Sequence, residues 1–113
     1  MTARRRQPVL RELELMVMLA VLQLGDEAYP LAVARTIESK TGRKASRPAV
    51  LITLERLEDK GLVTSRFGDP TPVRGGRARR YFYPKPAAIE AVRQSLGRIG
   101  ALASGLEAVL KPK

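Results

Sequence analysis

Ser46-Arg47-Pro48-Ala49-Val50-Leu51-Ile52-Thr53-Leu54-Glu55-Arg56-Leu57-Glu58-Asp59-Lys60-Gly61, followed at once by Leu62-Val63-Thr64-Ser65-Arg66-Phe67, sets two hydrophobic periods side by side. In the first part Val50, Leu54 and Leu57, with Leu51 beside them, recur at helical spacing. Ser46 can cap that helix, Pro48 suits its opening turn and Gly61 supplies its stop. The second part reads as a short strand, and Arg80-Tyr81-Phe82-Tyr83 as its partner. The tip between them, from Gly68 to Arg79, contains two prolines and three glycines and is expected to project rather than pack.

Upstream, Pro30 opens a second helix through Leu31, Val33, Ala34 and Ile37, and Gly42 closes it. Before it, Leu10 to Leu24 forms a first helix in which Leu13, Leu15, Met16, Val17, Met18, Leu19, Val21 and Leu22 cover almost the whole circumference. A chain of this length has trouble enclosing such a helix on every side, so a second subunit is expected to cover part of it. Residues 1–9 form a basic, proline-containing arm that is expected to be mobile. Downstream, a long helix from Pro86 carries Ile89, Val92, Leu96, Ile99, Ala103, Leu106 and Leu110, alternating intervals of three and four that make a heptad seam.

Three helices, a strand, a hairpin loop and a strand give a mainly α fold with a small β-hairpin. This is the order of a winged helix-turn-helix, followed here by a coiled-coil-like dimerisation helix. The expected organisation is an N-terminal arm at 1–9, a DNA-binding domain at 10–85 and a dimerisation helix at 86–113. The dimer contacts are assigned to Leu15, Met18 and Leu22 of the first helix and to Ile89, Val92, Leu96, Ile99, Ala103, Leu106 and Leu110 of the last.

Composition narrows the function. Histidine and cysteine are both absent from the 113 residues, which removes zinc sites of the Cys/His type, thiolate chemistry and the most versatile acid–base group. No P-loop, nucleophile elbow or metal-binding set is visible, so neither an enzyme nor a cofactor is expected. Met1 to Arg6 and the apolar run after them superficially resemble a secretion signal, but Glu12 and Glu14 interrupt the entry and no small-residue cleavage site follows. The run is also too short to span a bilayer, so a cytoplasmic protein without membrane partners is expected.

The net charge is +10, and residues 43–85 alone hold eleven basic and four acidic side chains, +7 of that total. Such an excess attracts polyanions, duplex DNA first among them. With Val50, Leu54 and Leu57 turned to the core, Pro48, Ala49, Ile52 and Arg56 point outward and Thr53 lies at the edge. Small and apolar groups there allow close approach to base edges and thymine methyls. Arg43, Lys44, Ser46 and Arg47 flank the helix start, where the helix dipole also favours phosphate. The wing contributes Arg66, Arg74, Arg77, Arg79 and Arg80. The expected DNA-binding set is Arg43, Lys44, Ser46, Arg47, Ala49, Ile52, Thr53, Arg56, Arg74, Arg77 and Arg79. A winged-helix protein-interaction module with nonspecific DNA affinity is the alternative.

Leu10-Arg11-Glu12-Leu13-Glu14-Leu15 and the residues that follow to Gly42, together with Ser46, Leu54-Glu55-Arg56-Leu57-Glu58-Asp59-Lys60-Gly61-Leu62-Val63 and Gly76-Arg77-Ala78-Arg79-Arg80-Tyr81-Phe82, resemble the PadR family of bacterial transcriptional regulators. The likeness covers roughly residues 10–110. It implies a homodimeric repressor with the third helix in the DNA major groove, the last helix pairing subunits, and in some members release of DNA by a small hydrophobic effector; because paired subunits present identical third helices, the expected operator is an inverted repeat. The sequence departs from the family pattern at Pro30, where a glycine usually follows the tyrosine, at Leu51, where tyrosine is common, and at Pro84-Lys85-Pro86, where a Leu-Thr entry is typical.

Overall fold

The computed structural model describes residues 9–68 and 78–112. The arm up to residue 8 and the hairpin tip 69–77, with Arg74 and Arg77, lie outside them. Three helices come first: α1 (Glu12–Leu24), α2 (Pro30–Thr41) and α3 (Arg47–Asp59), with a 3₁₀ turn (Gly25–Glu27) between α1 and α2. A hairpin of β1 (Val63–Phe67) and β2 (Arg80–Pro84) follows, then α4 (Pro86–Ala103) and a single turn, α5 (Glu107–Leu110). The strands are antiparallel in the register Val63↔Pro84, Ser65↔Phe82 and Phe67↔Arg80. The mainly α winged-helix architecture read from the sequence is therefore the one observed.

Local chemistry explains the boundaries. α2 and α4 begin on a proline and α3 has one in its first turn, where the missing N–H costs no hydrogen bond. α1 starts differently, with the Glu14 carboxylate accepting from the Arg11 backbone N–H at 2.9 Å. Gly61, at φ +79°, makes the sharp exit from α3 that lets the Leu62 N–H return to the Leu57 carbonyl at 2.9 Å. The hairpin is then stitched to the helices by Phe82 N–H to Ala28 O and Lys85 N–H to Leu62 O, both 2.8 Å.

α1 is the central element, contacted by α2, α3, α4 and β2. Val17, Met18 and Val21 of α1, Val33 of α2, Val50, Leu54 and Leu57 of α3 and Phe82 of β2 are fully buried together. Three expected dimer contacts are corrected by this packing. Leu15 and Met18 close the chain's own core, because neighbouring elements surround α1 on those sides. Val92 does the same, because the first turns of α4 lie along α1. Leu22 stays exposed, and Leu13, Met16 and Leu19 are partly so.

The last helix is also corrected. Instead of running continuously to Leu110, α4 ends at Ala103, and Gly105 at φ +89° turns the chain before α5. From Leu96 onward its large apolar side chains lie open among the described residues: Leu96, Ile99, Leu106 and Leu110 are exposed, and so are Leu102 (83%) and Val109 (77%), which the heptad reading left out. Ile89 is exposed nearer the body, and Ala103 is partly covered. The projection shows in a radius of gyration of 16.5 Å, against about 13 Å for a compact chain of this length. No helix among the described residues is long and apolar enough to cross a membrane.

Candidate nucleic-acid interface

α3 is held in place by its inner stripe and presents its outer one. Ser46 caps it, its Oγ accepting the Ala49 N–H at 3.2 Å, as the sequence suggested. Beyond the cap, Arg47 and Pro48 are exposed, Ala49 is half-buried, Ile52 is 51% exposed and Arg56 is exposed. Thr53 does not join them: it is 5% exposed, and its hydroxyl donates to the Ala49 carbonyl at 2.8 Å. A threonine this deep in a helix satisfies its hydroxyl on the preceding turn, which takes it off the outward face.

The cations around α3 differ in their freedom. Lys44, Arg47 and Arg56 make no ion pair among the described residues. Arg43 reaches back to α1, 2.9 Å from Glu12 Oε1 and 3.8 Å from Met16 Sδ. Both members of that pair are largely exposed, so its net worth is about 0–1 kcal/mol and an anion can compete for the guanidinium.

The wing root is ordered by aromatic rings. The Arg79 guanidinium lies 4.3 Å from the centre of the Tyr29 ring, and Tyr81 meets Tyr29 edge-on at 5.7 Å. Arg66 stands 5.0 Å from the Tyr83 ring. These contacts orient the cations while leaving their outer N–H groups to solvent. Phe67 is 66% exposed on the same strand, a residue the sequence reading passed over as part of an ordinary strand.

Arg80 behaves differently from its neighbours. Its Nη1 donates to Glu55 at 2.9 Å, its Nη2 to Glu58 at 2.8 Å and its Nε to Ser65 Oγ at 3.2 Å, while Ser65 Oγ donates to the second oxygen of Glu58 at 2.8 Å. The guanidinium also sits 4.9 Å from the centre of the buried Phe82 ring. The sequence reading counted Arg80 among the wing's cations and assigned no role in holding it to Glu55 and Glu58. Two acids three residues apart on a helix, facing a strand that starts with arginine, were the signal for this clasp.

At the far end of α3, Lys60 Nζ lies 2.9 and 3.1 Å from the Glu14 oxygens, and Glu14 is 6% exposed. Burial alone would raise the Glu14 pKa. The Arg11 N–H and the charge of Lys60 outweigh it and hold the carboxyl below its ordinary value of 4.5. An open polar cleft of about 390 Å³ borders the pair, lined by Arg11, Arg56 and Asp59 as well. A second, apolar groove of about 220 Å³ runs between α1 and α2 past Met16, Leu19, Ala20 and Ile37.

No family model matches the sequence, and no curated protein matches it either. Solved structures do. A PadR family transcriptional regulator from Eggerthella lenta superposes with a TM-score of 0.64 at 24% identity, over 90% of this chain and 88% of that one. The fold is PadR-like. A PadR-like transcriptional regulator from Bacillus cereus matches with a TM-score of 0.68 at 14% identity, over 89% of this chain and 93% of that one. A transcriptional regulator from Clostridium thermocellum gives 0.69 at 19%, over 87% and 89%. The PadR-like fold thus extends over nearly nine-tenths of the chain, at identities that carry architecture and leave function to the residues.

Proposed function

We propose that the protein is a transcriptional regulator that binds duplex DNA sequence-specifically as a homodimer and represses by occluding a promoter. The observation that carries this reading is the outward N-terminal face of α3. There Ala49 and Ile52 form a small, uncharged surface beside the exposed Lys44, Arg47 and Arg56, at a helix start whose dipole favours phosphate. Such a surface can enter a major groove closely, its apolar groups reading thymine methyls and its arginines guanine edges or adjacent phosphates. Arg79, with Arg74 and Arg77 of the tip, would follow the backbone or the minor groove. The PadR-like fold of known transcriptional regulators supports the same reading.

The uncovered apolar length of α4 and α5 supports the dimer, since a second copy brings an identical surface to it. Two α3 helices related by a two-fold axis would read an inverted repeat with half-site centres about one or two turns apart, each roughly 34–36 Å. A small hydrophobic effector belongs to this reading as a ligand of the assembled dimer. The 220 Å³ groove on one chain is smaller than the roughly 300–1,000 Å³ of typical ligand pockets, so the second copy would have to complete the site.

Selection of bound duplexes from a random pool, paired with an Ala49→Glu variant, tests the proposal. The unaltered protein should enrich an inverted repeat. Ala49→Glu should lose more affinity than the roughly 1–3 kcal/mol of one good base contact while unfolding at the same temperature, because the Val50, Leu54 and Leu57 stripe is untouched. Equal DNA affinity at equal stability would remove α3 from the interface. A flat dependence of affinity on salt would favour a protein-interaction module instead.

A further inference from the structure

We infer that Arg80 is a positioning residue: without touching DNA, it sets the spacing between wing and recognition helix and masks two carboxylates that would otherwise face the phosphates. This rests on the DNA-binding reading of α3. Glu55, Glu58 and Ser65 each take one N–H of the Arg80 guanidinium, at 2.8–3.2 Å, so a donor on every one of its nitrogens is committed within the protein. The partners lie on two different elements, α3 and β1, and Arg80 itself on a third, β2. A planar, bidentate donor held this way fixes angle as well as distance, which a lysine would not.

The location gives the clasp its consequence. Phe67, cross-strand from Arg80, is the last strand residue before the tip, so the clasp acts at the root of the segment that carries Arg74 and Arg77. Glu55 lies about one turn beyond Ile52 on α3 and Glu58 nearly two. Unpaired, these acids would repel the backbone that Arg56 and Arg47 attract. Arg80 therefore serves the interface through its neighbours: remove it, and the wing loses its preset angle while the helix gains two free negative charges.

Because the chain has no cysteine, spin labels can be placed at Arg56→Cys on α3 and Arg66→Cys on β1 without other substitutions, and the distance distribution between them measured. A narrow distribution is expected with Arg80 present, a broad one in Arg80→Ala and an intermediate one in Arg80→Lys. Unchanged distances in Arg80→Ala would overturn the positioning role. In DNA binding, the Arg80→Ala/Glu55→Gln/Glu58→Gln variant, which leaves no unpaired carboxylate, should hold random duplex about as well as the unaltered protein and lose about tenfold or more on the selected repeat. Arg80→Ala alone should also weaken random-duplex binding, through the unmasked acids.

A fall of about 0.9 in the slope of log affinity against log salt in the Arg80→Ala/Glu55→Gln/Glu58→Gln variant, which carries no unmasked acid, would identify a direct phosphate contact and overturn the inference. Retention of full repeat preference by the triple variant would overturn it equally. If the unaltered protein selects no repeat, the DNA-binding reading fails and the specificity role falls with it, while the label distances still decide whether Arg80 fixes the wing.

Discussion

The body of the protein and its C-terminal extension are both built from apolar-rich sequence but end in opposite states. In the body, the apolar residues of α1, α2, α3, β2 and the first turns of α4 close on one another until Phe82, Met18 and Leu57 see no solvent. Beyond Ser95 the same kind of residue finds no partner among the described residues: Leu96, Ile99, Leu102 and Val109 stand exposed. Hydrophobic pattern says that a surface is to be covered, and only the arrangement of the other elements says by what. The body closes its own core, and the extension leaves its apolar face open among the described residues.

The sharpest way to break this contrast is to damage each part separately. Phe82→Ala should cost the body about 3–5 kcal/mol, since it removes a fully buried ring that also backs the Arg80 guanidinium. Denaturant unfolding measures that loss, and it should appear equally at all protein concentrations. Leu96→Glu with Leu102→Glu should leave the diluted chain as stable as before but weaken self-association by about 100-fold or more, because charge would enter a surface that pairing must desolvate. Sedimentation over a concentration series would detect it, and monomers at micromolar concentration in the unaltered protein would erase the contrast altogether.

A smaller effect separates the two parts by pH. The Glu14 carboxyl is held below 4.5 in the folded body, by the Arg11 N–H and Lys60 against the opposing effect of burial. Its contribution is therefore fully present above the unfolded value near 4.5 and is lost as pH falls through the lower folded value. Arg11, Arg56 and Lys60 favour the carboxylate from the surrounding cleft, and Asp59 opposes it. Stability measured from neutral pH into acid should fall for the unaltered protein, and Glu14→Gln should flatten the part of that fall below 4.5.

Local sequence carried most of the architecture. α2, α3 and the hairpin are readable because proline, glycine and period mark each of their ends. The end of α4 was not readable in that way: the three-and-four spacing continues unbroken across Ser104-Gly105, while the backbone turns there at φ +89°. Leu15, Met18 and Val92 look like interface residues for a related reason. Periodicity identifies the apolar positions, but tertiary neighbours decide which of them the chain itself covers. In the candidate site, Ala49, Ile52, Arg47 and Arg56 lie on the expected face because they are fixed by the inner stripe of their own helix. Thr53 was lost to its own helix's backbone, four residues back, and Arg80 to acids 22 and 25 residues away, which only the pairing of strand and helix brings within reach.

The prolines at the helix starts act on a state that no contact in the folded chain represents. Pro48 and Pro86 are exposed at the openings of α3 and α4, so their rings bury little surface. What they remove is freedom from the denatured chain, whose backbone at those positions is already confined near helical φ before any packing begins. Each such restriction is worth about 0.4–1 kcal/mol where the native conformation accepts it. α3 thus has its first turn specified by a covalent ring as well as by the neutral Ser46 hydroxyl, and α4 by a ring without any side-chain acceptor, so those starts neither titrate nor respond to salt.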